Sequence, residues 1–262
     1  MTNLYPYSSL RQFFSEIYHI LREADKNVTE IWCEIPKIKS IINLSKFELL
    51  EFLEKFEFIS IKKGNYIQYI VINKVLFIID CINLLQFDIK DLSEILDYNG
   101  FEILVKEILS RNNYHSITNF RFSDRFGRKS GKAKKRYEID VIGIFSKYIL
   151  IIDAKQWKRR DTYNVLNKAA TKQYHRILAL KQNPIVFTKL FIKILGKLPN
   201  LLHQSHYILI PLMVTLEDNI IKLNDIQVPL VSIYELNAFL LELPKNLHYF
   251  KTIQIENKEL FI

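Results

Sequence analysis

The chain has only two cysteines, Cys33 and Cys81, each inside an apolar segment. A disulfide framework and a Cys-rich zinc or iron–sulfur site are therefore excluded. It also lacks a long uncharged apolar run and a basic amphipathic helix with a bare apolar face, so the sequence shows neither a membrane-crossing nor a membrane-surface helix. Its longest apolar stretches, Tyr148 to Ile152 and Ile208 to Val214, have the length of strands. The start, Met1-Thr-Asn-Leu, has no basic segment followed by an apolar block, so no signal peptide is read and a cytoplasmic location is expected. There is no glycine-rich phosphate loop of the Walker type, which removes ATP hydrolysis, and no internal repeat or low-complexity linker. The histidines His115, His175, His203 and His206 do not have zinc-ligand spacing.

What remains is a core-forming, basic chain. Hydrophobic residues make up 49% of its 262 positions, enough to bury a proper core. Lysine and arginine number 37 against 28 acids, giving a net charge of +9 and a pI near 9.3. Such an imbalance favours a polyanion, either nucleic acid or an anionic membrane surface. No suitable helix supports the membrane reading, so no membrane partner is expected.

The pattern of apolar residues changes near Asp97, which divides the chain into expected domains at 1–96 and 97–262. In the first, Leu10, Phe13, Phe14, Ile17, Ile20 and Leu21 recur at helical spacing. Short helices are predicted over Val28 to Ile35 and Ile38 to Ile42, and a clearer one over Ser45 to Phe56. This last helix opens with Ser45-Lys-Phe-Glu48, a capping box in which serine and glutamate each satisfy a free backbone N–H. Phe58 to Ile61 and Tyr66 to Ile72 then flank Lys62-Lys-Gly-Asn65, a hairpin signal. The order resembles a winged-helix domain. The acids Glu48, Glu51 and Glu54 on the would-be recognition helix suit phosphate poorly, so the sequence leaves two roles open: nucleic-acid binding, and dimerisation or docking.

From Asp97 onward the elements alternate. Phe101, Leu104, Val105, Ile108 and Leu109 form a helical stripe; Tyr137 to Ile144 and Tyr148 to Ala154 read as strands joined near Ser146-Lys147. A helix from about Thr162 to Lys181 follows, then strands at His206 to Val214 and Val228 to Val231. Ser232 and Glu235 suggest a second capping box leading into a closing helix. The expected class is α/β, a central mixed sheet flanked by helices.

Two of these strands carry the candidate chemistry. Strand alternation places Asp140 on the same face as Glu138, with Ile139, Val141 and Gly143 opposite. In Tyr148-Ile-Leu-Ile-Ile-Asp-Ala-Lys155 it places Asp153 and Lys155 together at the end of a buried run. Ionised groups are costly there unless something pairs them, so they invite a ligand. If the strands are hairpin neighbours, Asp140 and Asp153 converge on one hard cation, Mg²⁺, with Mn²⁺ able to substitute. The metal would polarise a scissile phosphate and acidify a water, while Lys155 orients that water and steadies the developing charge. The plainer reading is a structural salt bridge between Asp153 and Lys155 or Arg136.

Asp140 followed by Asp153-Ala-Lys155 resembles the PD-(D/E)XK nuclease superfamily, with its restriction-endonuclease-like fold, and within it the Mrr-type endonucleases and archaeal Holliday-junction resolvases. The likeness covers about residues 97 to 240. It implies a third acidic metal ligand on the helix before the first strand, soon after a glycine. Gly100-Phe-Glu102 supplies Glu102, with Glu107 as the fallback. Gln156-Trp157 resembles the polar or aromatic tail that follows the lysine in related members. The chain departs from the pattern at Ile139, where the naming proline is absent, and in having Asp153 where Mrr-like enzymes often have Glu or Gln.

Gln173 falls in the apolar stripe of Leu166, Ala169, Ala170, Ile177 and Leu180. It is either an accessory site residue, as in RecB-like relatives, or a hydrogen-bonded core glutamine; the tyrosine those relatives place four residues later is Ile177 here. Two cationic clusters adjoin the strands: Arg125, Arg128, Lys129, Lys132, Lys134, Lys135 and Arg136 before Asp140, and Lys158, Arg159 and Arg160 after Lys155. They are expected to neutralise nucleic-acid phosphates, or else to form solvated charge runs. The expected activity is a metal-dependent endonuclease acting on double-stranded or branched DNA, in a homodimer if both strands are cut. The alternatives are a non-catalytic DNA-binding or regulatory protein on a nuclease-like scaffold, and an RNA-directed nuclease.

Overall fold

The computed structural model describes residues 7–63, 68–85, 89–123, 135–156, 163–196, 205–216 and 222–256. The chain separates into two compact units, Met1–Leu104 and Val105–Ile262.

In the first unit, α1 (Tyr7–Glu23) buries Phe13, Phe14, Ile17 and Leu21 on one face, the stripe read from the sequence. Helix α2 (Lys46–Leu53) has the predicted capping box, with the Glu48 amide donating to Ser45 Oγ and the Ser45 amide donating to Glu48 Oε2. The segment predicted as a helix over Val28 to Ile35 is instead strand β1 (Glu30–Glu34) followed by a 3-10 turn. Val28, Ile31, Trp32 and Ile35 do fall at helical spacing, but Ile31 and Cys33 pair across to Ile72 and Ile70, and that long-range ladder outweighs a weak local preference. Strands β2 (Ile59–Lys63) and β3 (Gln68–Asn73) form the expected antiparallel pair, giving a sheet of order β1-β3-β2. Gly64 and Asn65, the predicted turn, lie outside the described residues. A short helix, α3 (Lys74–Asp80), continues from β3, and α4 (Ile89–Leu92) follows. Lys74 is fully buried and donates from Nζ to the Asp25 carbonyl at 2.6 Å, which ties the start of α3 to the segment that follows α1.

Helix α5 (Tyr98–Arg111) runs through the division between the units. The second unit is α/β. Strands β4 (His115–Ser123), β5 (Arg136–Phe145) and β6 (Tyr148–Lys155) form an antiparallel meander. After α6 (Tyr163–Lys181) and α7 (Pro184–Leu195), strand β7 (His206–Thr215) runs parallel to β6, and β8 (Leu230–Ser232) parallel to β7. Helix α8 (Leu236–Asn246) and strand β9 (Ile253–Glu256) close the unit, β9 pairing antiparallel with β7. The result is the expected central mixed sheet of six strands flanked by helices. Ile177, Leu180, Phe187, Leu190 and Phe191 of α6 and α7 pack with Ile142, Ile144, Ile149 and Ile151 of the sheet in one core. Ser232 and Glu235 do not cap α8: Glu235 accepts from the amide and hydroxyl of Ser232, but the helix begins only at Leu236, so the pair closes a turn ahead of it. Among the described residues no helix is long and apolar enough to cross a membrane.

Candidate active site

The site forms where β5 parts from β6. Their pairing runs from Phe145↔Tyr148 to Val141↔Ile152 and stops there. One residue further, Asp140 turns its carboxylate to β6, and Oδ2 accepts from the Ala154 amide at 2.9 Å. On the other side of β5 the ladder to β4 is interrupted between Thr118↔Val141 and Phe120↔Ile139. Opposite Asp140, Asn119 takes a left-handed φ of 54°, uncommon for a side-chain-bearing residue in a strand and a mark of local distortion.

This break changes the facing of the strand. Tyr137, Ile139, Ile142 and Ile144 all contact one core cluster, which strict alternation forbids. The expectation that Glu138 lies beside Asp140 is therefore corrected. Glu138 is exposed, and its Oε1 accepts from Arg121 Nε and NH2 at 2.9 and 2.7 Å across the β4 and β5 pair. Asp140 is buried, at 9% exposure.

Asp153 is 2% exposed at the end of the apolar β6 run. Lys155 bridges the two acids, its Nζ lying 3.2 Å from Asp153 Oδ1 and 3.5 Å from Asp140 Oδ2. Both carboxylates thus meet one ammonium. A second cation, unnoticed in the sequence, comes from α6: Arg176 NH1 donates to Asp153 Oδ1 at 2.6 Å. The same NH1 donates to Gln173 Oε1 at 2.8 Å, and Gln173 Nε2 donates to the Ile151 carbonyl at 2.7 Å. Gln173 is fully buried, and leaving its amide unpaired there would cost about 1–3 kcal/mol. Its bonds instead align Arg176 on Asp153. The signal for Arg176 was its place three residues beyond Gln173, on the same helical face.

Burial raises the pKa of Asp140, and the nearby Asp153 charge raises it further; Lys155, the Ala154 amide and Arg176 oppose this only in part. Burial pulls the Lys155 ammonium down, but Asp153 and Asp140 outweigh it and hold its pKa above the usual lysine value. Lys155 is therefore charged at neutral pH.

Glu102 lies on α5 within the first compact unit and is half-buried. Gly100, two residues before it, donates its amide to Asp97 Oδ1 at 2.7 Å, and a Cβ at Gly100 would come within 2.9 Å of Leu96. Among the described residues, no group of three or more His, Cys, Asp or Glu side chains meets as a metal-holding set. Asp140 and Asp153 nonetheless suit a divalent cation as a pair, since Mg²⁺ commonly takes one or two carboxylates and completes its shell with waters and substrate phosphates. Of the cationic clusters, Arg125, Arg128, Lys129, Lys132, Lys134, Lys158, Arg159 and Arg160 lie outside the described residues. Lys135 and Arg136 are exposed, with Lys135 Nζ 5.1 Å from the Tyr137 ring centre. An open depression of about 470 Å³ is lined by Arg121, Phe122, Ser123, Arg136, Tyr137 and Glu138.

Residues 98–215, from α5 to the end of β7, match the family model of NERD, the nuclease-related domain. The match supports a nuclease-related domain of the PD-(D/E)XK-like type in this stretch, with nucleic acid as the substrate class it implies. No curated protein matches the chain. Among solved structures, the crystal structure of protein VC1899 from Vibrio cholerae aligns over 92% of this chain and 53% of its own, at 14% identity and a TM-score of 0.37; the chain spans about half of that protein's length.

Proposed function

We propose that the second unit hydrolyses phosphodiester bonds in DNA, with a divalent metal ion held by Asp140 and Asp153. The observation that carries this reading is the convergence of two buried carboxylates on the single Lys155 ammonium, at 3.5 and 3.2 Å. The NERD match over residues 98–215 supports it. Bound Mg²⁺ or Mn²⁺ would supply Lewis acidity to the phosphate and a more acidic water.

The chain's own groups do the rest. The Ala154 amide fixes Asp140, while Arg176 and Gln173 fix Asp153, so the two acids are set before substrate arrives. Lys155, kept charged by its neighbours, orients the attacking water and steadies charge on the phosphoryl oxygens. Glu102 as a third acidic ligand rests on the sequence pattern alone, and a Glu102→Gln variant tests it. The exposed Arg121, Lys135 and Arg136, with the basic segments flanking β5 and β6, would track the phosphate backbone without reading sequence.

For the first unit we propose a winged-helix role in targeting or in pairing two copies. The order α1, β1, α2, β2, β3 supports it, as do the lysines Lys62 and Lys63 of the hairpin.

One observation favours a second reading. Asp153 already has two cations on one oxygen, and such a charge-balanced cluster would also suit a non-catalytic nucleic-acid-binding scaffold. Incubating the full chain with supercoiled plasmid, a four-way junction and structured RNA, in Mg²⁺, Mn²⁺ and EDTA, separates the readings. The nuclease reading expects metal-dependent cutting of DNA that Asp153→Asn and Lys155→Met abolish. Cutting in EDTA, or cutting that both variants retain, overturns it. Binding without cutting in every metal favours the scaffold, and cutting of RNA alone corrects the substrate.

A further inference from the structure

We infer that Arg176 is a phosphate-binding residue of this site, presenting a two-pronged guanidinium edge to a backbone phosphodiester while its other end stays anchored on Asp153. The inference rests on the proposed nucleic-acid reading of the second unit.

A guanidinium has five N–H donors. In Arg176 both hydrogens of NH1 are used, one on Asp153 Oδ1 at 2.6 Å and one on Gln173 Oε1 at 2.8 Å. The Nε donor and the two NH2 donors have no protein partner among the described residues, and they are not sealed from solvent, since the side chain is 24% exposed. Nε and NH2 together form the edge that matches two oxygens of a phosphate in a fork. An arginine needed only to neutralise Asp153 would be redundant, because Lys155 lies 3.2 Å from the same oxygen.

The surroundings allow an anion to approach. Asp140 and Asp153 are balanced by Lys155 and Arg176, so the cluster carries no net charge when all four groups are ionised. Gln173, bonded to the Ile151 carbonyl, holds NH1 on the sheet side and so fixes which edge of the guanidinium is left open. A phosphate held on that edge would lie within one guanidinium of the Asp153 carboxylate, where the proposed chemistry takes place. Lysine could not perform both tasks, since its ammonium has no separate edges.

The test is binding of a short fluorescein-labelled DNA duplex to the full chain in EDTA, by anisotropy over a salt series. This needs no cleavage, so failure of the nuclease reading appears separately, as a parent protein that cuts nothing in Mg²⁺ or Mn²⁺. Arg176→Gln should lower affinity several-fold and reduce the slope of log affinity against log salt by about 0.9, the loss of one phosphate contact. Arg176→Lys should keep the slope and lose affinity with the fork. Lys193→Gln, removing an exposed charge on α7, should change neither. An unchanged slope in Arg176→Gln, or an equal drop in Lys193→Gln, overturns the inference. If Arg176→Gln fails to fold by circular dichroism, Arg176→Lys decides: parental affinity there overturns it as well.

Discussion

Strand β5 carries two acids two residues apart, and the fold treats them in opposite ways. Glu138 is exposed and pairs with Arg121 across the β4 and β5 ladder, where water screens both charges. Asp140 lies past the point where β5 leaves β6; it is bonded to a backbone amide, and burial, with the nearby Asp153 charge adding to it, raises the pKa of Asp140. The same side-chain chemistry is thus a surface ion pair in one place and, in the other, a buried carboxylate held by a backbone amide and an ammonium. What separates them is the dielectric around each group and the break in the ladder between them.

The comparison can be broken by activity first. Lys155→Met should reduce cleavage of plasmid by on the order of 10²–10³-fold, whereas Glu138→Gln should leave it within about twofold, because an exposed pair away from the acids adds no transition-state contact. Equal losses in the two variants would mean that Glu138 belongs to the site after all.

Stability gives the next contrast. Asp153→Ala takes the carboxylate away from Arg176 and leaves Lys155 with Asp140 alone, and urea unfolding should show a loss of about 3 kcal/mol. Glu138→Ala should cost at most about 1 kcal/mol, in keeping with side chains that are 74% and 47% exposed in its pair with Arg121.

A finer probe is pH. Because Asp140 has a folded pKa above its ordinary value, the folded chain keeps that proton to a higher pH than the unfolded chain. Ionised Asp140 therefore costs stability above the folded pKa, and the cost fades as pH falls through it towards the ordinary value. Asp140→Asn, which keeps an acceptor for the Ala154 amide, should raise the thermal midpoint at neutral pH and lose this advantage in acid. A gain independent of pH would show that the shift is not the cause. Glu138→Gln should give the smallest effect of all, a midpoint that differs little from the parent across the same range.

Much of this was legible in the sequence. The β5 and β6 strands, the turn at Ser146, the long helix α6 and the placing of Asp140, Asp153 and Lys155 on adjacent strands follow from apolar runs and their period, which local chemistry sets. Strands β4 and β9 and helix α7 were not named. Helix α7 had left its marks: Asn183 caps it, Pro184 opens it, and Gly196 closes it at φ 65°. Strand β1 was read as a helix because five residues cannot reveal a partner some forty positions away.

The sequence by itself determined which residues carry charge at the ends of buried strands, because an ionisable group closing an apolar run is visible in one dimension. Only the tertiary structure decided which of those groups meet. The interruption of the ladder at Asn119 and Asp140 sent Glu138 to the surface and Asp140 inward, a facing that a period of two cannot foresee. The packing of α6 on the sheet brought Arg176 to Asp153 across 23 positions, since helix packing, unlike helix formation, is settled by distant parts of the chain.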